Sequence, residues 1–159
     1  AWTAYMTDIC KRTTVFVRDA EASARWYEAV FGMSRWMDTA FTLSGTQLAA
    51  GNKGDQTRLV IMKAKDDTIG MIGLLQWIDP PMPIPETLPR QIAFGAPVFV
   101  MAVEDCAACT DRARATGSHI HCEPHLWSVN GADGRQMTML GAGFFDLDGY
   151  FFEVNQQIQ

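Results

Sequence analysis

The alternation of apolar and polar positions along this chain repeats itself. The run VFVRDAEAS, beginning at Val15, returns as MAVEDCAAC, beginning at Met101. In each copy a short apolar stretch ends in Val-x-Asp, and an amphipathic stretch follows that stops at a glycine, Gly32 and then Gly117. Residues 13–17 are β-branched and aromatic, which predicts a strand whose successive side chains face opposite ways. Val15 and Val17 then lie under the following helix, while Arg12, Thr14 and Phe16 face away. Asp19 is a suitable N-cap and Glu21 complements the helix dipole. Ser23, Trp26, Tyr27, Val30 and Phe31 gather near one face. Gly32 is the natural stop, because glycine enters the left-handed conformation of a helix end without steric cost.

Beyond this helix, residues 34–43, 46–50, 58–62 and 71–78 read as strands separated by Gly, Asn and Asp clusters. The first half, residues 8–79, is therefore a βαβββ module. Six of the seven prolines fall between Pro80 and Pro97, a density that rules out regular structure and suits a stiff connector or flap over 80–97. The second module, 98–159, repeats the order: a strand at 98–103, a helix at 106–116, strands at 119–129 and 136–146, and a last strand at 150–156. Residues 1–159 are read as a single α+β domain.

Composition narrows the class without choosing a function. A chain of 159 residues with 48% hydrophobic content can bury a real core. A net charge of -5 and a sequence pI near 5.1 leave no basic stripe for phosphates, so nucleic acid is not an expected partner. No run of 18 apolar residues predicts a membrane span. The opening positions lack the apolar centre of a signal peptide, so the expectation is a cytoplasmic protein, with Met6 as a natural start. Four cysteines, Cys10, Cys106, Cys109 and Cys122, are too few to staple a domain of this size and read as reduced thiols. Cys106 and Cys109, three apart in a helix, are expected to share a buried face rather than bind metal.

Together with the opening VFVRDAEASARWYEAVFGM, the closing FFDLDGYFFEVNQ resembles the vicinal oxygen chelate superfamily, the glyoxalase, bleomycin-resistance and extradiol-dioxygenase group. The closing stretch looks like the family's D-x-D-G turn followed by a Glu four residues after the Gly. The resemblance implies two βαβββ modules forming a curled, cup-shaped mixed sheet, with helices outside and the active site inside. It also implies, in metal-dependent members, a His on the first strand of a module and carboxylates on final strands. Counting back from the Val-x-Asp aspartates puts the first-strand positions at Arg12 and Val98. The last-strand positions fall at Glu153 and within one residue of Gln76. One strong ligand is too few for a catalytic divalent ion, which needs about three. The expected cofactor is therefore none, with a divalent metal held through His119, His121 or His125 as the alternative.

Two readings of Arg12 and Glu153 stand: a structural ion pair in place of a metal, or a working pair. In the second, Glu153 is a general base, Arg12 anchors an anionic or carbonyl oxygen, and His121 is the partner acid. Phe16, Thr14, Trp77, Val100, Phe151 and Trp127 are the expected substrate-binding residues, and nine methionines and five tryptophans suit an adaptable apolar cavity. The function expected is metal-independent proton transfer, of lyase or isomerase type, on a small apolar metabolite that is aromatic or bears a carbonyl. The alternatives are a non-catalytic binder like the bleomycin-resistance proteins and a metal-dependent dioxygenase or lyase with unusual ligands. By analogy with the family, the partners expected are a small molecule and a second copy in a homodimer.

Overall fold

A computed structural model describes residues 7–158; Met6 lies outside them. The elements run β1 (Arg12–Phe16), α1 (Ala20–Phe31), β2 (Ser34–Thr42), β3 (Gln56–Lys63) and β4 (Met71–Asp79), then β5 (Val98–Ala102), α2 (Cys106–Ala115), β6 (Ile120–Asn130), β7 (Gln136–Phe145) and β8 (Phe151–Gln157). This is the predicted βαβββ order, twice. It builds two four-stranded mixed sheets, ordered β1-β4-β3-β2 and β5-β8-β7-β6. In each, the last strand is inserted between the first, to which it is parallel, and the third, to which it is antiparallel. Two compact units result: residues up to Tyr27 with Gly32–Ile84, and Glu28–Phe31 with Pro85 onward.

The repeat extends to the chemistry of the helix ends. Ala22 N–H donates to Asp19 Oδ1 at 3.0 Å, and Ala108 N–H donates to Asp105 Oδ1 at 2.9 Å. A second free N–H in each helix finds a glutamine amide on the module's last strand: Ala20 donates to Gln76 Oε1 and Cys106 to Gln156 Oε1, both at 2.9 Å. These bonds satisfy donors that every helix start leaves open. Gly32 and Gly117 both take positive φ, 65° and 87°, as the stop signals required.

Strand pairing corrects one register. Thr14 pairs with Gly73 in the first sheet, and Val100 pairs with Glu153 in the second. The first-module counterpart of Glu153 is thus Gly73, whereas Gln76 corresponds to Gln156 and caps a helix. A second correction concerns residues 46–50, which form no strand. They belong to a long loop, 43–55, whose neck is closed by Leu43 N–H to Asp55 O and Gly54 N–H to Leu43 O, both 2.9 Å. Leu43 packs with Leu75 and Trp77 in a buried cluster, flanked by Phe16, Ala50, Leu59 and Met82. Asp55, itself buried, accepts from Trp77 Nε1–H at 3.1 Å and from Asn52 N–H at 2.8 Å. The loop covers the part of the first sheet's face that carries Phe16, Leu75 and Trp77, and leaves Arg12 and Thr14 exposed.

In the second unit α2 packs over β6, β7 and β8. Cys106 and Cys109 are fully buried, as their spacing predicts, and both are free thiols. Burial pushes the Cys109 thiol up to about 11. On the first unit's surface, Glu21 bonds to Arg35 and Arg58, and Arg58 also holds Asp38, at 2.7 Å. This network ties the first turn of α1 to β2 and β3.

Two outcomes follow for stability. Asp55→Ala leaves two N–H groups without their acceptor and should cost about 1–3 kcal/mol, read from the urea midpoint. The Arg35 hydrogen bond leads the causes that lower Glu21 from 4.5 to about 2. A depressed carboxylate contributes stability above its unfolded value and loses it as pH falls through the folded one. The melting-temperature difference between wild type and Glu21→Gln should therefore be full above about pH 5 and shrink toward about pH 2.

Candidate functional site

The last strand of the second module uses both faces. Phe152 and Val154 are fully buried, with Phe152 ringed by Phe31 and Phe99 at 5.1 and 5.0 Å. Phe151, Glu153 and Asn155 point the other way and line a cavity of ≈ 570 Å³, within the range of small-molecule sites. The turn that feeds this strand is set by Asp146, whose Oδ1 accepts from the N–H groups of Asp148 and Tyr150, both at 2.9 Å.

Across the sheet, Phe145, Gly143 and Gly141 of β7 stand directly opposite Phe151, Glu153 and Asn155. The two glycines make room for neighbouring side chains. A Cβ at Gly143 would lie 2.7 Å from the Phe151 ring, and one at Gly141 would lie 2.6 Å from Trp127 Nε1. Trp127 Nε1–H bonds to Asn155 Oδ1 at 3.3 Å, over Gly141. On β6, Cys122 pairs with Gly143 and His125 with Gly141. Glu153, Gly143 and Cys122 therefore form one row across three strands. Glu153 and Cys122 stand two strand spacings apart, roughly 10 Å, with Gly143 between them and the Phe151 ring over it.

Strand β6 is irregular in a way that alternation does not foretell. Its register shifts between Ile120 and Cys122 and again between Cys122 and His125. The extra residues are absorbed as bulges, which re-aim side chains, and His121, Cys122, His125 and Trp127 all reach the cavity. His121 sets its ring edge-on to Phe151 at 5.8 Å. Cys122 Sγ lies 3.4 Å from His125 Nδ1. His119 precedes the strand and lies instead 5.9 Å from the Phe145 ring. Arg90, Gln91 and Ile92 of the connector complete the lining. Within their own unit, among the described residues, Glu153 and Arg90 make no hydrogen bond or ion pair.

Glu153, His121, Phe151 and Trp127 are thus brought together. Val100 shares their face, opposite Glu153, but stands 63% exposed on the edge strand. The remaining expected residues belong to the first unit. Trp77 is buried under loop 43–55, with Phe16 edge-on to it at 4.9 Å, and both are occupied in packing. Thr14 and Arg12 flank Gly73, whose Cβ would meet Thr14 Oγ1 at 2.7 Å and Arg12 Cδ at 3.2 Å. Sequence reasoning missed Arg90, Cys122, Asn155 and the two glycines. Gly141 and Gly143, two apart on a strand, carried a signal, and so did Pro124, which marks a strand as bulged or at an edge.

The donor set does not match the metal site that the family resemblance implies. Its positions hold Arg12, Val98, Gly73 and Glu153, and among the described residues no three His, Cys, Asp or Glu side chains are grouped to hold an ion. Nor, among those residues, is any helix long and apolar enough to cross a membrane.

Paired βαβββ modules of this topology define an α+β protein of the glyoxalase kind. The chain belongs to the Glyoxalase/Bleomycin resistance protein/Dioxygenase superfamily, whose family profile matches residues 9–154. Among solved structures it is similar to a glyoxalase family protein from Bacillus cereus, at 13% identity and TM-score 0.78 over 100% of both chains. A glyoxylase/bleomycin resistance protein/dioxygenase domain from Frankia sp. EAN1pec matches at 14% and 0.62, covering 95% of this chain and 98% of that one. The trypanothione-dependent glyoxalase I of Leishmania major matches at 14% and 0.60, over 94% and 87%. No functionally curated sequence shows significant similarity to the chain.

Gly143→Ala should force the Phe151 ring out of place. The expected cost is about 1–3 kcal/mol of stability, and unfolding in urea measures it.

Proposed function

We propose that the protein is a metal-independent enzyme of lyase or isomerase type that moves a proton on a small, largely apolar metabolite bearing a carbonyl or aromatic group. The observation that carries this reading is Glu153, a carboxylate without a partner in its own unit, facing a cavity walled by Phe145, Phe151, Trp127 and Ile92. In the proposed reaction Glu153 removes a proton from the carbon beside the carbonyl. Arg90, rather than Arg12, stabilises the charge that develops on the oxygen, and His121 returns a proton. The aromatic walls hold the substrate by apolar contact beside Glu153, which is itself exposed. Gly143 lets the Phe151 ring lie flat across the sheet beside Glu153, as part of the wall the substrate packs on.

A panel of small aromatic ketones and aldehydes in heavy water tests the reading, with incorporation of solvent deuterium followed by NMR. Glu153→Gln should slow that exchange by about 10²–10⁴-fold while ligand affinity stays within a few fold. Exchange that survives the substitution would sink the base assignment. Binding that persists with no exchange in either protein would instead mark a sequestering protein. For the same preparation, metal analysis should find far less than one ion per chain, and chelator should leave the exchange rate unchanged. Stoichiometric metal, with activity lost on chelation, would return the site to metal-assisted chemistry.

A further inference from the structure

We propose that Cys122 and His125 form a nucleophilic pair in this cavity, able to add the thiol reversibly to an alkene conjugated to a carbonyl. The proposal rests on reading the cavity as a substrate site, and adds to it a covalent step that Glu153 does not perform. Three observations carry it. The first is contact: Cys122 Sγ and His125 Nδ1 are 3.4 Å apart, a hydrogen-bonding distance for sulfur. The second is the way the contact arises. Residues three apart on a regular strand face opposite sides. Here the register shift between Cys122 and His125 sets them opposite Gly143 and Gly141, two apart on β7 and on one face. The bulge is what makes the pair. The third is access: both side chains line the cavity, Cys122 is part-exposed and His125 is exposed. The two cysteines of the C-x-x-C, Cys106 and Cys109, take no part, since both are buried.

The step balances without an external oxidant or reductant. The thiol hydrogen has two acceptors, Glu123 O at 3.4 Å and His125 Nδ1 at 3.4 Å. Transfer to His125, whose Nδ1 must start unprotonated, leaves a thiolate, the nucleophilic form. Sulfur then bonds to the alkene carbon remote from the carbonyl. The carbon–carbon π bond breaks, its electrons pass to the carbonyl oxygen as an enolate, and His125 returns the proton to the carbon beside the carbonyl. The net change is addition of S–H across the double bond, and the reverse sequence releases it.

Iodoacetamide at neutral pH, followed by peptide mapping, reads the pair directly, with exposed Cys10 as the internal reference. Cys122 should be alkylated at least about tenfold faster than Cys10, and His125→Gln should bring it down to the Cys10 rate. Incubation with 2-cyclohexenone should add its mass at Cys122 in the wild type and not in His125→Gln. Equal rates at Cys122 and Cys10 in the wild type overturn the proposal without recourse to any variant. So does a Cys122 rate unmoved by His125→Gln in a protein of unchanged circular dichroism, or a missing cyclohexenone adduct. Glu153→Gln should leave the alkylation rate intact, so loss of proton exchange and loss of thiol reactivity fail separately.

Discussion

Each module depends on one constraint: its last strand must enter between the first and the third and be hydrogen-bonded along both edges. A strand so placed has no free backbone edge, so its two faces alone carry packing and chemistry. In the second module this makes β8 a partition, with Phe152 and Val154 closing the core on one side and Phe151, Glu153 and Asn155 facing the cavity on the other. A glutamine in each such strand, Gln76 and Gln156, reaches over to the first turn of the helix, at Ala20 and at Cys106. Strand insertion and helix orientation are thereby coupled by a single side chain. The register that puts Gln156 on the helix is the same register that puts Glu153 opposite Gly143.

The two modules share this frame and diverge in what they do with the equivalent face. In the first, Gly73 replaces the carboxylate, and the long β2–β3 loop folds back so that Leu43 and Ala50 pack with Trp77, Leu75 and Phe16. In the second, β6 and β7 are joined by a short turn, and nothing between those strands returns to cover the sheet. The face is bounded instead by Arg90, Gln91 and Ile92. Pro89 is seated against Gly149, where a Cβ would come within 2.9 Å of the proline ring. The same architecture thus yields a packed layer in one copy and, in the other, a cavity with a few polar side chains set in apolar walls.

The order of elements, the Asp caps and the glycine stops were legible because each has a local cause: β-branched runs, a capping side chain, a left-handed helix end. The family was legible for the same reason, through the two motif stretches that frame the chain. What failed was counting across loops. Gln76 was taken for the counterpart of Glu153 because strand register depends on turn lengths that residue types do not disclose. The apolar run at 46–50 carries the composition of a strand but serves as packing for a loop. On β6, period-two alternation misplaces every residue beyond a bulge, and so the proximity of Cys122 to His125 was invisible although both residues were in plain view. Arg90 lay in a stretch read as a connector, where proline density announces stiffness but not which side chains turn toward a site.

The closed neck of loop 43–55 has a consequence for what this scaffold can become. Its two ends are already bonded to each other, Leu43 to Asp55 and Gly54 to Leu43, so the excursion begins and finishes at one point on a β-hairpin. Segments attached in this way are the ones that insertion and deletion alter without disturbing the strands on either side. The plug is therefore a detachable part: shortening it to a tight turn would uncover Leu75, Trp77 and Phe16, beside Thr14 and Arg12, which already stand exposed, and give the repeated architecture a second open face. The repeat thus holds a reserve: one module's face carries a cavity, and the other's carries packing that a shorter loop would remove.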